Sequence, residues 1–186
     1  VPTPVLQALY EGRIEDAQRI AAQSVLNLPE AAALGDGPRC LDLLDAGATV
    51  DAPSPDGWPP LHLAAYFGHP AVVGLLLARG AAVRRHASSA QGNTALHAAL
   101  AGRTSREVVR ALLDADADVH ATDAAAVRPV HLAAARGDIV SLASLVEHGA
   151  RLDVTMPDGT TARDLAQQRG HHDAVAWIDA QPAERP

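Results

Sequence analysis

The stretch "WPPLHLAAYFGHP", Trp58–Pro70, sets the reading of this chain. A proline pair suits the first turn of a helix, where a missing N–H has no partner to lose. A short Ala-rich run follows. Gly68 supplies the left-handed conformation that commonly ends a helix, and Pro70 can open a second one. Three later stretches repeat the pattern: "NTALHAALAG" from Asn93, "VRPVHLAAARGD" from Val127 and "GTTARDLAQQRGHH" from Gly159, the last with Asp164 where the others have His. The positions equivalent to Leu61 are Leu96, Val130 and Arg163, at intervals of 35, 34 and 33 residues. Counting back a similar distance reaches Leu28, in "LPEAAALGDGPRCLDLLDAGA", which has lost the histidine but keeps the small-residue helix. "VLQALYEGRIEDAQRIAA", from Val5, is a further degenerate copy in which Gly12 matches Gly35 and Gly68.

Between these stretches lie second helices with apolar stripes at helical spacing. They carry Cys40, Leu41, Leu43 and Leu44; Val72, Val73 and Leu75 to Leu77; Val108, Val109, Leu112 and Leu113; and Ile139, Val140, Leu142, Leu145 and Val146. Each stripe predicts one buried face. Connecting segments such as "DAGATVDAPSPDG" and "EHGARLDVTMPDG" end in Asp-Gly, a strong turn dipeptide. A fixed period of this length marks stacked repeats.

These motifs resemble the ankyrin repeat, a β-turn plus two helices with the signature T-P-L-H-x-A. The resemblance covers residues 3–180. It implies an all-α solenoid of helix-turn-helix units with β-turn or hairpin fingers, each unit burying its faces against its neighbours. The organisation expected is a single domain over 1–186. A cap half-repeat spans 3–27, repeats span 28–57, 58–92, 93–126 and 127–159, a C-terminal cap repeat spans 160–180, and a frayed tail spans 181–186. Three departures predict local irregularity. Finger two, "GAAVRRHASSAQGN", is two residues longer than its neighbours; "AGRTSREVV" has one extra residue between its helices; and Ala126 stands where finger three should have a turn glycine.

Composition bounds the function. The chain has 186 residues, with 48% hydrophobic and 3% aromatic content, which suits close-packed Ala-rich helices. A net charge of −7 disfavours nucleic acid as a partner. All fifteen basic residues are Arg, a composition that reads as codon bias in a high-GC bacterial genome. The single cysteine, Cys40, fits a reducing cytoplasm. No apolar run approaches the length of a membrane span, and "VPTPVLQALYEGR" lacks a signal-peptide pattern. The expectation is a cytoplasmic monomer with no membrane association.

Catalysis finds little support: there is no G-x-S-x-G elbow, no phosphate-cradling glycine loop and no H-E-x-x-H. His62, His97 and His131 recur at one position. The resemblance implies a structural role for them, hydrogen bonding to the neighbouring loop. Repeats lie about 10 Å apart, too far for three such histidines to share one zinc. "GHHD", Gly170–Asp173, is the one local cluster that could hold a metal, but adjacent helical side chains diverge, so it reads as a polar helix start. Cys40 reads as a buried small hydrophobe. No cofactor or metal is expected, and the chain reads as a non-enzyme.

What remains is surface. The resemblance assigns partner contacts to the finger tips and the exposed edge of the first helices, a concave groove. On this chain those positions include Tyr10, Leu34, Asp56, Trp58, Tyr66, Phe67, Gln91, Asn93, Arg103, Val127 and Arg136. Four of the five aromatics fall among them; Trp177 lies elsewhere and should seal the terminal helix. Large aromatics and Arg dominate interface hot spots. Two readings of the aromatics stay open: a binding centre, or packing of Tyr66 and Phe67 against Ala33 and Leu34. The partner expected is an unidentified protein, with the alternatives of a regulatory or structural subunit in an obligate complex, or a metal or enzyme site at His171–Asp173.

Overall fold

The computed structural model describes residues 1–103 and 105–181. Thr104, in the lengthened turn, and residues 182–186, which make up most of the expected tail, lie outside the described residues. Twelve helices form among them. They are α1 (Pro4–Tyr10), α2 (Ile14–Ala21), α3 (Leu28–Leu34), α4 (Gly37–Asp45), α5 (Pro60–Phe67), α6 (Pro70–Ala78), α7 (Ala95–Ala101), α8 (Arg106–Asp114), α9 (Pro129–Ala135), α10 (Ile139–Glu147), α11 (Ala162–Gln168) and α12 (His172–Asp179). The chain divides into two compact units, 1–117 and 118–186. In the first, α1, α3, α5 and α7 pack in sequence as an inner row, and α4, α6 and α8 form an outer row. In the second, α9 packs on α11 and α10 on α12 in the same manner.

One device starts most of the inner helices. The third helical residue turns an acceptor back onto the N–H of the residue before the helix, closing a capping box. Asn27 donates its N–H to Glu30 Oε2 at 2.9 Å, Arg128 to His131 Nδ1 at 3.0 Å, and Thr161 to Asp164 Oδ2 at 2.9 Å. His97 serves Thr94 in the same way. The first repeat has therefore not lost its histidine without replacement: Glu30, buried at 6% exposure, stands in its place. α1 and α5 are the exceptions: the third residue of α1 is Leu6, which has no acceptor, and Pro59, which precedes α5, has no N–H to give.

A second device ties consecutive repeats together. The carbonyl two residues before the inter-helix glycine takes a hydrogen bond from the next repeat's turn. The Ala33 carbonyl accepts from His69 Nε2 at 3.0 Å, and that of Ala135 accepts from His171 Nε2 at 3.2 Å. Each imidazole lies over a glycine with no room for a side chain: a β-carbon on Gly35 would come within 2.6 Å of His69, and one on Gly137 within 2.7 Å of His171. Tyr66 follows a different route. The turn after α7 has no histidine, and its extra residue lets Arg103 donate its backbone N–H to the Tyr66 carbonyl at 2.8 Å. The approach is so close that a β-carbon on Gly102 would overlap that carbonyl. The expected irregularity is thus a replacement contact.

The fingers close by turns; no strand forms among the described residues, and only the isolated bridges His86–Thr94 and Thr155–Thr161 occur. Finger one closes through Ser54 N–H to Trp58 O (2.9 Å) and Gly57 N–H to Ser54 O (2.8 Å). Finger three closes identically through Asp123, Val127 and Ala126, at 3.0 Å each. The turn survives without glycine because Ala126 adopts φ 59°. Asp123 Oδ1 braces it by accepting the N–H groups of Ala125 and Val127. The longer finger two folds back on finger one, with Ser88 donating N–H to Gly57 O at 3.0 Å.

The core follows the stripes. Leu76, Leu96, Leu100, Leu112, Leu142 and Leu145 are fully buried, and each contributes roughly 2 kcal/mol. Val140 departs from its stripe and is 39% exposed. Cys40 is fully buried, and burial, followed by Asp36, pushes its thiol up to about 11.

Candidate partner-binding site

A cleft of about 340 Å³ opens in the first unit, between α5, α7 and finger two. Tyr10, Trp58, Tyr66, Gln91 and Asn93 line it, with His62, Leu63, Ala98 and Ala101 beneath and beside them. Five of the residues expected to meet a partner are thus brought to one place. Tyr10 and Tyr66 are each 38% exposed, and Trp58 is half-buried.

Phe67 is the correction. It is 6% exposed and belongs to a core cluster with Leu6, Leu9, Ala33 and Leu63. Its side chain points inward because the helix turns the position after Tyr66 away from the cleft. Phe67 instead supports the exposed rings. Tyr10 stacks on it at 6.0 Å between centroids and 18° between planes, and Tyr66 meets it edge-on at 5.1 Å and 85°. Phe67 thus packs in the core with Ala33, as the packing reading expected, while Tyr10 and Tyr66 stay partly exposed.

Polar contacts fix the aromatic rim. Asp56 accepts the Tyr10 hydroxyl at 3.0 Å and the Ser54 hydroxyl at 2.7 Å, and Ser54 Oγ accepts the backbone N–H of Trp58 at 3.1 Å. Burial, then the Asp56 charge, pushes the Tyr10 phenol above its ordinary range, so it stays protonated and keeps donating. Asp56 is accordingly a brace for Tyr10.

Below the rim, His62 Nε2 donates to the Asn93 carbonyl at 3.1 Å. This leaves Nδ1 as an acceptor, and Pro59 offers it nothing; His62 Nδ1 is buried without a partner. Burial holds the His62 imidazole down at about 4. Asn93 Oδ1 and Ser89 Oγ are also buried and unpartnered. His131, in the second unit, makes the equivalent brace to the Val154 carbonyl at 3.1 Å. His97 is fully buried, and its Nδ1 lies 2.8 Å from Thr94 Oγ1.

The other expected residues lie apart. Arg103 serves Tyr66 through its backbone, and its side chain is exposed. Leu34 lines a separate hollow with Leu26 and Asp36. Val127 and Arg136 belong to the second unit. Several finger charges are used internally: Asp51 accepts the Ala82 N–H, Asp116 pairs with Arg84, and Asp123 holds its own turn. His171 is committed to Ala135, and among the described residues no group of three His, Cys, Asp or Glu could hold a metal ion. Among them also, no helix is long and apolar enough to cross a membrane. Sequence reasoning missed His69, Glu30 and Ser54. His69 was detectable, since His69 and His171 each follow an inter-helix glycine at the same offset.

Stacked helix pairs joined by turn-closed fingers define a helical repeat protein. Residues 28–123 match the family described as ankyrin repeats (3 copies), and the chain belongs to the ankyrin-repeat family. It is 38% identical over 143 residues to ankyrin repeat domain-containing protein 63 of Mus musculus, covering 73% of this chain and 36% of that protein. It is 39% identical over 125 residues to ankyrin repeat and SOCS box protein 16 of Mus musculus, covering 63% of this chain and 27% of that protein. Over 77 residues it is 40% identical to cyclin-dependent kinase 4 inhibitor B of Bos taurus, covering 41% of this chain and 59% of that protein. The chain spans less than two thirds of the length of each of these relatives, all three of them eukaryotic.

Proposed function

We propose that the chain is a non-enzymatic module that binds a partner protein through the cleft of its first unit. Ankyrin repeats as a family mediate protein–protein interaction. The observation that carries the finer reading is the aromatic rim. Tyr10, Trp58 and Tyr66 converge on one hollow, and each ring has a contact of its own, Tyr10 and Tyr66 with Phe67, Tyr10 also with Asp56, and Trp58 with His62. Rings fixed in place lose little freedom on binding, so their contact area translates into affinity. Gln91, Asn93 and Arg103 supply a polar border. Leu34 and, on the second unit, Val127 and Arg136 are proposed as outlying contacts. The proposal includes a monomer with no cofactor. Bacterial origin and a cytoplasmic setting rest on composition alone.

The test is affinity capture from a cell lysate by the wild type and by a Trp58→Ala, Tyr66→Ala double variant. Phe67 is left intact to protect the core. Loss of a captured protein by a variant with an unchanged circular dichroism spectrum supports the reading. Equal capture by both proteins refutes it.

A further inference from the structure

We infer that the cleft seats an acidic segment of the partner, with an apolar side chain held between two carboxylates. The inference rests on the proposal that the cleft binds a protein, and it names the chemistry of the contact. The walls set the centre of that segment. Leu63, Ala98 and Ala101 lie with the rings of Trp58 and Tyr66, and among the described residues no Asp, Glu or Arg lines the cleft. Its interior therefore gains most by covering an apolar side chain. A charged group of the partner is left to the border.

The border sets the flanks. Arg85 and His86 stand at one end of α7 and Arg103 at the other. His86 bridges to Thr94, which caps the start of α7, while Arg103 lies just beyond its end and holds the Tyr66 carbonyl through its backbone N–H. Positive charge on Arg85 and His86 is close enough to His62, a lining residue, to oppose its protonation. Other arginines nearby are spent on carboxylates, Arg79 on Asp45 and Arg84 on Asp116. Arg85 and Arg103 are exposed and have no carboxylate partner among the described residues. Asp56, the carboxylate tied to the lining through Tyr10, lies on the finger-one side and already accepts two hydroxyls. The chain's net charge of −7 does not cancel this local excess, because salt screens charges more than about 8 Å away. The seven residues of α7 span about 10 Å, the reach of roughly three extended residues. Two side-chain carboxylates that far apart match both cationic ends, whereas a chain terminus supplies only one point of charge.

The experiment uses the full chain and a displayed library of random short peptides whose C-termini are joined to the carrier, so that only side chains supply carboxylates. Selection runs against the wild type, Trp58→Ala and an Arg85→Glu, Arg103→Glu double variant, each with an unchanged circular dichroism spectrum. Tyr66→Ala replaces Trp58→Ala if the latter does not fold. The expected result is peptides that require Trp58 and carry Asp or Glu on both sides of an apolar residue. Arg85→Gln with Arg103→Gln should weaken them about tenfold, the sum of two exposed ion pairs. The double Glu variant should instead select Lys or Arg at the flanks. Both side chains are exposed, and the contact of Arg103 with Tyr66 is made by backbone, so these variants keep the fold. Peptides that require Trp58 but show no acidic preference, or keep that preference when the charges are reversed, overturn the inference and leave the cleft as a binding site. Peptides indifferent to Trp58, or a selection that yields none, overturn both.

Discussion

At the scale of single residues, this protein keeps its repeats regular by tolerating a few misfits. Ala126 holds a left-handed φ of 59° that glycine adopts without strain. Ala126→Gly should therefore raise stability by about 1 kcal/mol, read as a higher urea midpoint. Pro59 is the other misfit, since it denies His62 Nδ1 the N–H that Arg128 gives His131. Pro59→Thr should restore that donor and stabilise the fold by about 1 kcal/mol, again read as a urea midpoint. The repeating His was legible in the sequence, but the consequence of Pro59 was not. A missing N–H matters only once it is known which acceptor faces it.

At the scale of elements, the helices and their order were readable because apolar stripes and inter-helix glycines impose their own periods. The fingers were readable as turns, and Asp56-Gly57 and Asp158-Gly159 mark two of them. What periodicity could not show was the direction of individual rings. Tyr66 and Phe67 are neighbours in sequence, yet one faces the cleft and the other fills the core, because successive helical positions are rotated by about 100°. The lengthened turn after α7 likewise looked like a defect, when its extra residue serves the Tyr66 carbonyl. Gly102→Ala tests that contact. With a backbone carbonyl where its β-carbon must go, the variant should lose about 1–3 kcal/mol in chemical denaturation, and amide exchange at Arg103 should accelerate.

At the scale of the whole molecule, buried histidines make stability sensitive to acid. Burial lowers the imidazole of His62 to about 4, and it lowers those of His69 and His131 as well. Their unfolded-state value is near 6.5. Above that pH both states are neutral and the native fold keeps its full stability. Between about 6.5 and 4 the unfolded chain takes up protons that the native chain refuses, so stability falls as pH falls. His62 alone accounts for a loss on the order of 3 kcal/mol. The urea midpoint should drop through this window, and a midpoint that is flat down to pH 4 would contradict the burial of these rings. The links between repeats carry a different lesson, about how such a chain can change. Ala33 and Ala135 rely on a histidine from the following turn, while Tyr66 relies on a longer turn without one. These are alternative ways to meet one need, so neither can be lost before the other is gained, and the order of substitutions is constrained. A single repeat moved to a new place in the array would carry half of each link with it. The exchangeable module of this protein runs from the middle of one repeat to the middle of the next.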